Sequence, residues 1–148
     1  MSFWSYKEED RDECLSLRLR QSDMNELQAS GYETVREALT ASIEQSNEIY
    51  VIQPKDRIIG IFGVAQGELY GIPWMVATDE IYRHAVELCR TARGLVKNWK
   101  EHYGTLANCV DSRNTASHRW LKSLGFAIRE DIVFGEPYYK VPFYLFHQ

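Results

Sequence analysis

Few residues of this 148-residue chain combine a reactive type with a setting for chemistry. His118 is of a type that can in principle exchange protons, but a lone histidine on a short helix is most often a solvated surface residue. Asp79 and Glu80 stand together where a long helical repeat begins, with Arg83 and His84 just behind them. Carboxylates there stabilise the positive helix end by about 0.3–1 kcal/mol each and repel an anionic ligand. Asn114 is placed to cap a helix with its side-chain oxygen. Glu68 follows Gly67 in a turn and reads as an exposed acid. Cys14, Cys89 and Cys109 are odd in number and widely spaced, so neither a disulfide framework nor a zinc pattern arises, and no metal is expected. P-loop, His-Glu-x-x-His and nucleophile-elbow signatures are all missing.

The elements that must position these residues follow from periodicity. Phe3 to Tyr6 suggests a short strand. Lys7 to Gly31 carries Cys14, Leu15, Leu17, Leu19, Met24 and Leu27 and reads as one helix with a glycine stop. Thr34 caps a second helix running to Asn47. Ile49–Gln53 and Arg57–Ala65 are strands, the latter so apolar that burial on both faces is expected. A third, Leu69–Ala77, contains Pro73, which removes a ladder hydrogen bond and marks a bulge or an interruption of pairing. Thr78 or Asp79 opens the longest helix, Glu80 to Tyr103, whose buried stripe includes Ile81, Leu88, Ala92, Val96 and Trp99. Leu106 and Val110 begin a further strand. Asn114 then caps a short helix of Ala116, Trp120, Leu121 and Leu124, and Gly125 ends it with Phe126 folding back. Ala127–Phe134 and Tyr138–Phe146 form a hairpin about Gly135-Glu136-Pro137.

The run from Asn114 to Gly125-Phe126 resembles the C-terminal motif of the GNAT superfamily, the acetyl-CoA-dependent N-acyltransferases. The motif with its preceding strand spans about an eighth of the chain, and the order of elements around it matches that family throughout. The resemblance implies one α/β (mixed α+β) domain over residues 1–148, with a central mixed twisted sheet of about six to seven strands flanked by about four helices. It also implies a cleft for acetyl-CoA where the fourth and fifth strands splay at Pro73-Trp74. Cofactor contacts then fall to Trp74, Met75, Val76, Arg83, Asn114 and Ser117, and proton transfer to Glu68, Tyr70 and His118. Two features depart from active members. The segment Val76–His84 lacks the glycine-rich phosphate cradle, and Leu121 stands where a tyrosine often protonates the departing thiolate. Arg119–Phe126 additionally resembles small GNAT-like proteins of short-tailed bacteriophages, of the internal virion type. The expectation is a GNAT-fold protein with a degenerate acetyl-CoA site that works through phage or host protein contacts. The alternative is an active N-acetyltransferase on a small-molecule or protein amine.

Composition bounds the remaining classes. Hydrophobic residues are 45% and charged residues 26% of the chain, as in ordinary globular proteins. A net charge of −4 argues against nucleic acid as a partner. No apolar run approaches the roughly 20 residues that span a bilayer. The N-terminal residues lack the order of a signal peptide, so the expected location is a cytoplasm, or a virion in the phage case. The aromatic share of 13% is high, so the core or a contact surface is aromatic-rich. Strand propensity accounts for most of the tail from Phe134 to Phe146, and a surplus of exposed tyrosines there would suggest a protein contact surface.

Overall fold

The computed structural model describes residues 3–148. Four strands, β1 (Phe3–Ser5), β2 (Glu48–Ile52), β3 (Gly60–Gln66) and β4 (Gly71–Ala77), form one antiparallel sheet in the order β1-β2-β3-β4. β5 (Ala107–Asp111), β6 (Ala127–Phe134) and β7 (Phe143–His147) form a second, in the order β5-β7-β6. Helices α1 (Arg11–Leu15), α2 (Gln21–Ala29) and α3 (Val35–Gln45) cover one face, and α4 (Ala85–Tyr103) and α5 (Thr115–Ser123) the other. Each face has its own core. Trp99, Val96, Ala92 and Leu88 of α4 pack with Phe62, Leu106, Leu121 and Phe126. Cys14, Leu39 and Ile43 pack against Val51, Ile61 and Val76 on the opposite side. β3 is buried on both faces from Gly60 to Val64, as its continuous apolar run requires.

The sheets meet through β4 and β5, which run parallel and touch at one end only. A bridge joins Gly71 to Leu106, and the Gly71 amide donates to the Thr105 carbonyl at 2.9 Å. Glycine is needed at 71 because a Cβ there would lie 2.8 Å from the Leu106 side chain and 2.9 Å from Tyr103. Beyond that point the strands separate. Pro73 causes no bulge, since β3 and β4 keep unbroken register from Gly60↔Ala77 to Gln66↔Gly71. The interruption lies on its other side. Residues 71, 73, 75 and 77 turn their backbone groups away from β3, so a residue lacking an N–H is tolerated where no neighbouring strand would accept it.

The stretch expected as a single helix from Lys7 to Gly31 is broken. After α1 the chain extends through 17–20, where Leu19 bridges to Thr78 and the Arg20 amide donates to the Ala77 carbonyl. The alternation of Leu15, Leu17 and Leu19 was the strand-like signal. The longest helix starts at Ala85 instead of Glu80, preceded by a 3₁₀ turn over Asp79–His84, and the Thr78 side chain makes no cap bond. Glu80 is held by Arg57 instead, at 2.7 and 3.1 Å. The hairpin partner begins at Phe143 rather than Tyr138, because residues 138–142 leave the sheet and the Lys140 amide bonds to Ala29 at the end of α2. Around α5 the expected ends are present. Asn114 accepts from the Ser117 amide at 3.1 Å, and Gly125 takes φ +94° while Phe126 donates back to Leu121.

Arg20 and Asp23 form a buried bidentate pair at 2.9 Å, and one Asp23 oxygen also accepts the Ala77 amide at 2.8 Å. Asp23→Ala strands a buried guanidinium and an amide, so a loss of about 3–5 kcal/mol is expected, measured as a drop in the urea unfolding midpoint.

Candidate functional site

The separation of β4 from β5 can be followed rung by rung. At Gly71 the contact is backbone to backbone. At Pro73 it is side chain to backbone, with Asn108 Nδ2 donating to the Pro73 carbonyl at 2.9 Å. At Met75 the outward N–H and C=O meet no strand, since β5 has by then diverged. At the far end α2 spans the gap. Asp23 holds the Ala77 amide of β4, and three residues later Glu26 Oε1 accepts the Asp111 amide of β5 at 2.8 Å. The result is a cleft of about 200 Å³ that passes from one face of the sheet to the other. Met75, Ser117, Trp120, Leu121 and Phe126 line the half beside α4 and α5. Glu26, Leu27, Tyr32, Trp74 and Tyr139 line the half beneath α2 and α3.

Glu26 is the one charged residue in this lining. It is half-buried, and its remaining exposure is to the cleft. Burial pushes its carboxyl up to about 7, the Asp111 amide holds it down, and the charges of Asp23 and Asp111 push it further up. Both of those aspartates already have cations. Asp23 is paired with Arg20, and Asp111 with Arg113 at 2.7 and 3.0 Å. Glu26 has no ion pair among the described residues. Asn114 Nδ2 is buried with no hydrogen-bond partner of ordinary length, yet lies near enough to Glu26 to favour its charged form. Cys109 and Tyr139 stand beside it. Burial raises both of their pKa values, so neither is an anion near neutrality.

The residues marked out by sequence fall in different places. Ser117, Trp74, Met75 and Val76 line the cleft. Of the last three only Met75 offers free backbone groups, because Trp74 and Val76 spend theirs on Gly63 and Ile61 of β3. The Trp74 indole donates to Ser46 Oγ at 2.7 Å. Asn114 is buried beside Glu26 and is not among the residues that line the cleft. His118 is half-buried rather than solvated, and its Nε2 lies 3.0 Å from the Asp111 carbonyl, which can only accept. The neutral ring therefore carries its proton on Nε2. Glu68 and Tyr70 sit in the exposed β3–β4 turn, outside the lining. Arg83 is exposed in the 3₁₀ turn, near Glu80. The sequence signal for Glu26 is an acid three residues after Asp23, on the helix face shared with Leu27 and Ser30.

No group of three or more metal-ligating side chains occurs among the described residues, and no described helix is long and apolar enough to cross a membrane. No protein-family model matches the sequence, and no curated protein sequence does. Solved structures do match over nearly the whole chain. The ribosomal-protein-alanine N-acetyltransferase of Brucella melitensis superposes with a TM-score of 0.74 at 13% identity, covering 100% of this chain and 99% of that one. A GNAT-family acetyltransferase of Streptococcus pneumoniae gives 0.64 at 14% identity, covering 99% and 98%. The spermidine N-acetyltransferase of Vibrio cholerae, solved with CoA and spermine, gives 0.66 at 12% identity, covering 99% and 94%. Likeness at such low identity speaks to architecture, and with the splayed β4–β5 pair it establishes that this chain has the GNAT acetyltransferase fold.

Proposed function

We propose that the protein is an acyl-CoA-dependent N-acyltransferase in which Glu26 is the general base. The observation that carries this reading is a single unpaired carboxylate, poised near neutrality, in a cleft whose other half presents the unclaimed backbone of Met75. The cleft suits acetyl-CoA in part. The Met75 N–H and C=O would hold the amides of its pantetheine arm, and Ser117, Trp120 and Leu121 would flank it. The diphosphate end is less like a cradle, although Arg57 offsets the charge of Glu80, which is held below the usual carboxylate range by that contact. When bound, acetyl-CoA would supply the acyl thioester, and Glu26 is placed to take the proton that a neutral acceptor amine would lose as it displaced the thiolate. Asn114 and the Asp111 amide fix the carboxylate, and the apolar walls exclude water around it. Leu121 supplies no proton, being buried and aliphatic.

A second reading keeps the fold but replaces catalysis with protein contacts, as in a virion, assembly or host-interaction component of a phage. It draws on the glycine-free, acidic turn over Asp79–His84 and on exposed apolar residues such as Leu69 (86% exposed) and Tyr138 (69% exposed). Isothermal titration with acetyl-CoA separates the two. Saturable heat below millimolar cofactor is expected, and none at millimolar concentration would favour the contact reading.

Two outcomes are expected of Glu26→Gln. Turnover should fall by about 10²–10⁴, and the rise of kcat/KM through the region of pH 7 should disappear from the pH–rate profile. Stability should move the other way. A carboxyl whose folded pKa lies above its unfolded value binds more protons when folded between about pH 4.5 and 7, so wild-type stability falls across that window as pH rises. Removing the charge should stabilise the fold above pH 7 by about 1–3 kcal/mol, with the residual exposure of Glu26 setting the lower end, and should flatten the dependence of Tm on pH.

A further inference from the structure

We infer that the acceptor is a small primary monoamine with an apolar, ring-sized body, seated in the α2 half of the cleft with its ammonium on Glu26. This rests on the transferase reading above and goes further, because the fold itself does not choose among acceptors.

Charge gives the first argument. A polyamine or an aminoglycoside carries several ammonium groups and needs an acid for each that it buries. Here every acid around the acceptor half except Glu26 is neutralised within the chain: Asp23 by Arg20 and Asp111 by Arg113. The surroundings of Glu26 on each element packed against it are Asp23 on α2, Asp111 and Cys109 on β5, and Tyr139 on the 135–142 segment. Once Glu26 is ionised, above about pH 7, these groups carry one uncompensated negative charge, matched by one cation. A second ammonium seated in the same half would meet no second carboxylate among the lining residues, where Ser30 and Ser42 offer only hydroxyls.

Shape gives the second argument. The walls are Leu27, Tyr32, Trp74, Tyr139 and Phe143. Tyr139 lies flat on Phe143, with ring centroids 3.9 Å apart and planes within 10°. The 135–142 segment is fastened over this half. The Lys140 amide bonds to the Ala29 carbonyl at 2.9 Å, and the Tyr138 carbonyl passes so close to Gly31 that a Cβ there would sit 3.3 Å from it. An extended peptide acceptor needs an open groove along which its second and third residues continue, and this fastening walls off that side. Beside Tyr139 and Phe143 the lining suits a flat apolar body of ring size.

The test is direct binding of amines without any cofactor, followed by isothermal titration at pH 8. The probes are 2-phenylethylamine, spermidine, kanamycin and an alanine-terminated tetrapeptide. Phenylethylamine should bind at least about tenfold more tightly than each of the others. It should weaken about tenfold or more between pH 8 and pH 5.5, where it keeps its own charge while Glu26 is protonated. Glu26→Gln should abolish that pH dependence, and Tyr139→Ala should weaken phenylethylamine while leaving the preference against spermidine. Tighter binding of spermidine, kanamycin or the peptide would overturn the inference, as would phenylethylamine binding that ignores both pH and Glu26→Gln. Thiol release from acetyl-CoA is measured separately. Amine binding without cofactor binding would defeat the transferase reading and leave the acceptor class standing, whereas turnover with spermidine preferred would defeat the acceptor class alone.

Discussion

Two parallel strands that touch at one end and part at the other are unstable unless something holds the open end. In this protein α2 does so with two carboxylates three residues apart. Asp23 takes the last amide of β4 and Glu26 the last amide of β5, so one helical turn sets the width of the gap. The closed end depends on Gly71, where the absence of a side chain lets β4 come against Leu106 and Tyr103. Between those two fixed points the cleft has no freedom to collapse into a continuous sheet. The two cores on either face, each with its own helices, keep the strands in those planes.

The two acids of α2 share a task and differ in chemistry. Asp23 is buried and locked to Arg20, with Tyr82 placed 5.5 Å from the guanidinium carbon. That neutral unit is structural. Glu26 performs the same strand-holding role with one oxygen, but has no cation, and its exposure opens to the cleft. A half-buried carboxylate without a cation is costly, and its presence at the one charged position of the lining is what turns a structural staple into a candidate site. Asn114 Nδ2, buried and without a hydrogen-bond partner of ordinary length, is the second such cost at the same place.

Much of the architecture was legible in the sequence, because periodicity and end signals are local. The stripe of α4, the Asn114 cap, the Gly125 stop and the doubly buried β3 all follow from spacing and residue type. What was misjudged depended on distant partners. The extended stretch 17–20 exists because Ala77 and Thr78 pair with it, fifty-eight or so positions away. The helix starts later than its sequence repeat, after a 3₁₀ turn over Asp79–His84 in which Glu80 pairs with the distant Arg57. The site was half legible. The position of the gap followed from Pro73 and the resemblance, and the Met75 backbone was among the groups named. Glu26 was not, because an acid on a helix is read as solvated unless the strand ends that it serves are known. His118 was read as solvated and is tied to a carbonyl for a related reason: its partner, the Asp111 backbone, is supplied by the turn of the chain before α5.

The proline in β4 has a consequence for how molecules of this protein meet one another. A strand whose outer side lacks a neighbour is a template on which another chain can add, the usual route to domain swapping and aggregation. The outward side of β4 lies along the cleft, and its amides are Gly71 and Ala77, both already engaged, and Met75. Position 73 has none. An intruding strand would find a single donor where a ladder needs several, so the open side of β4 is a poor template for strand addition.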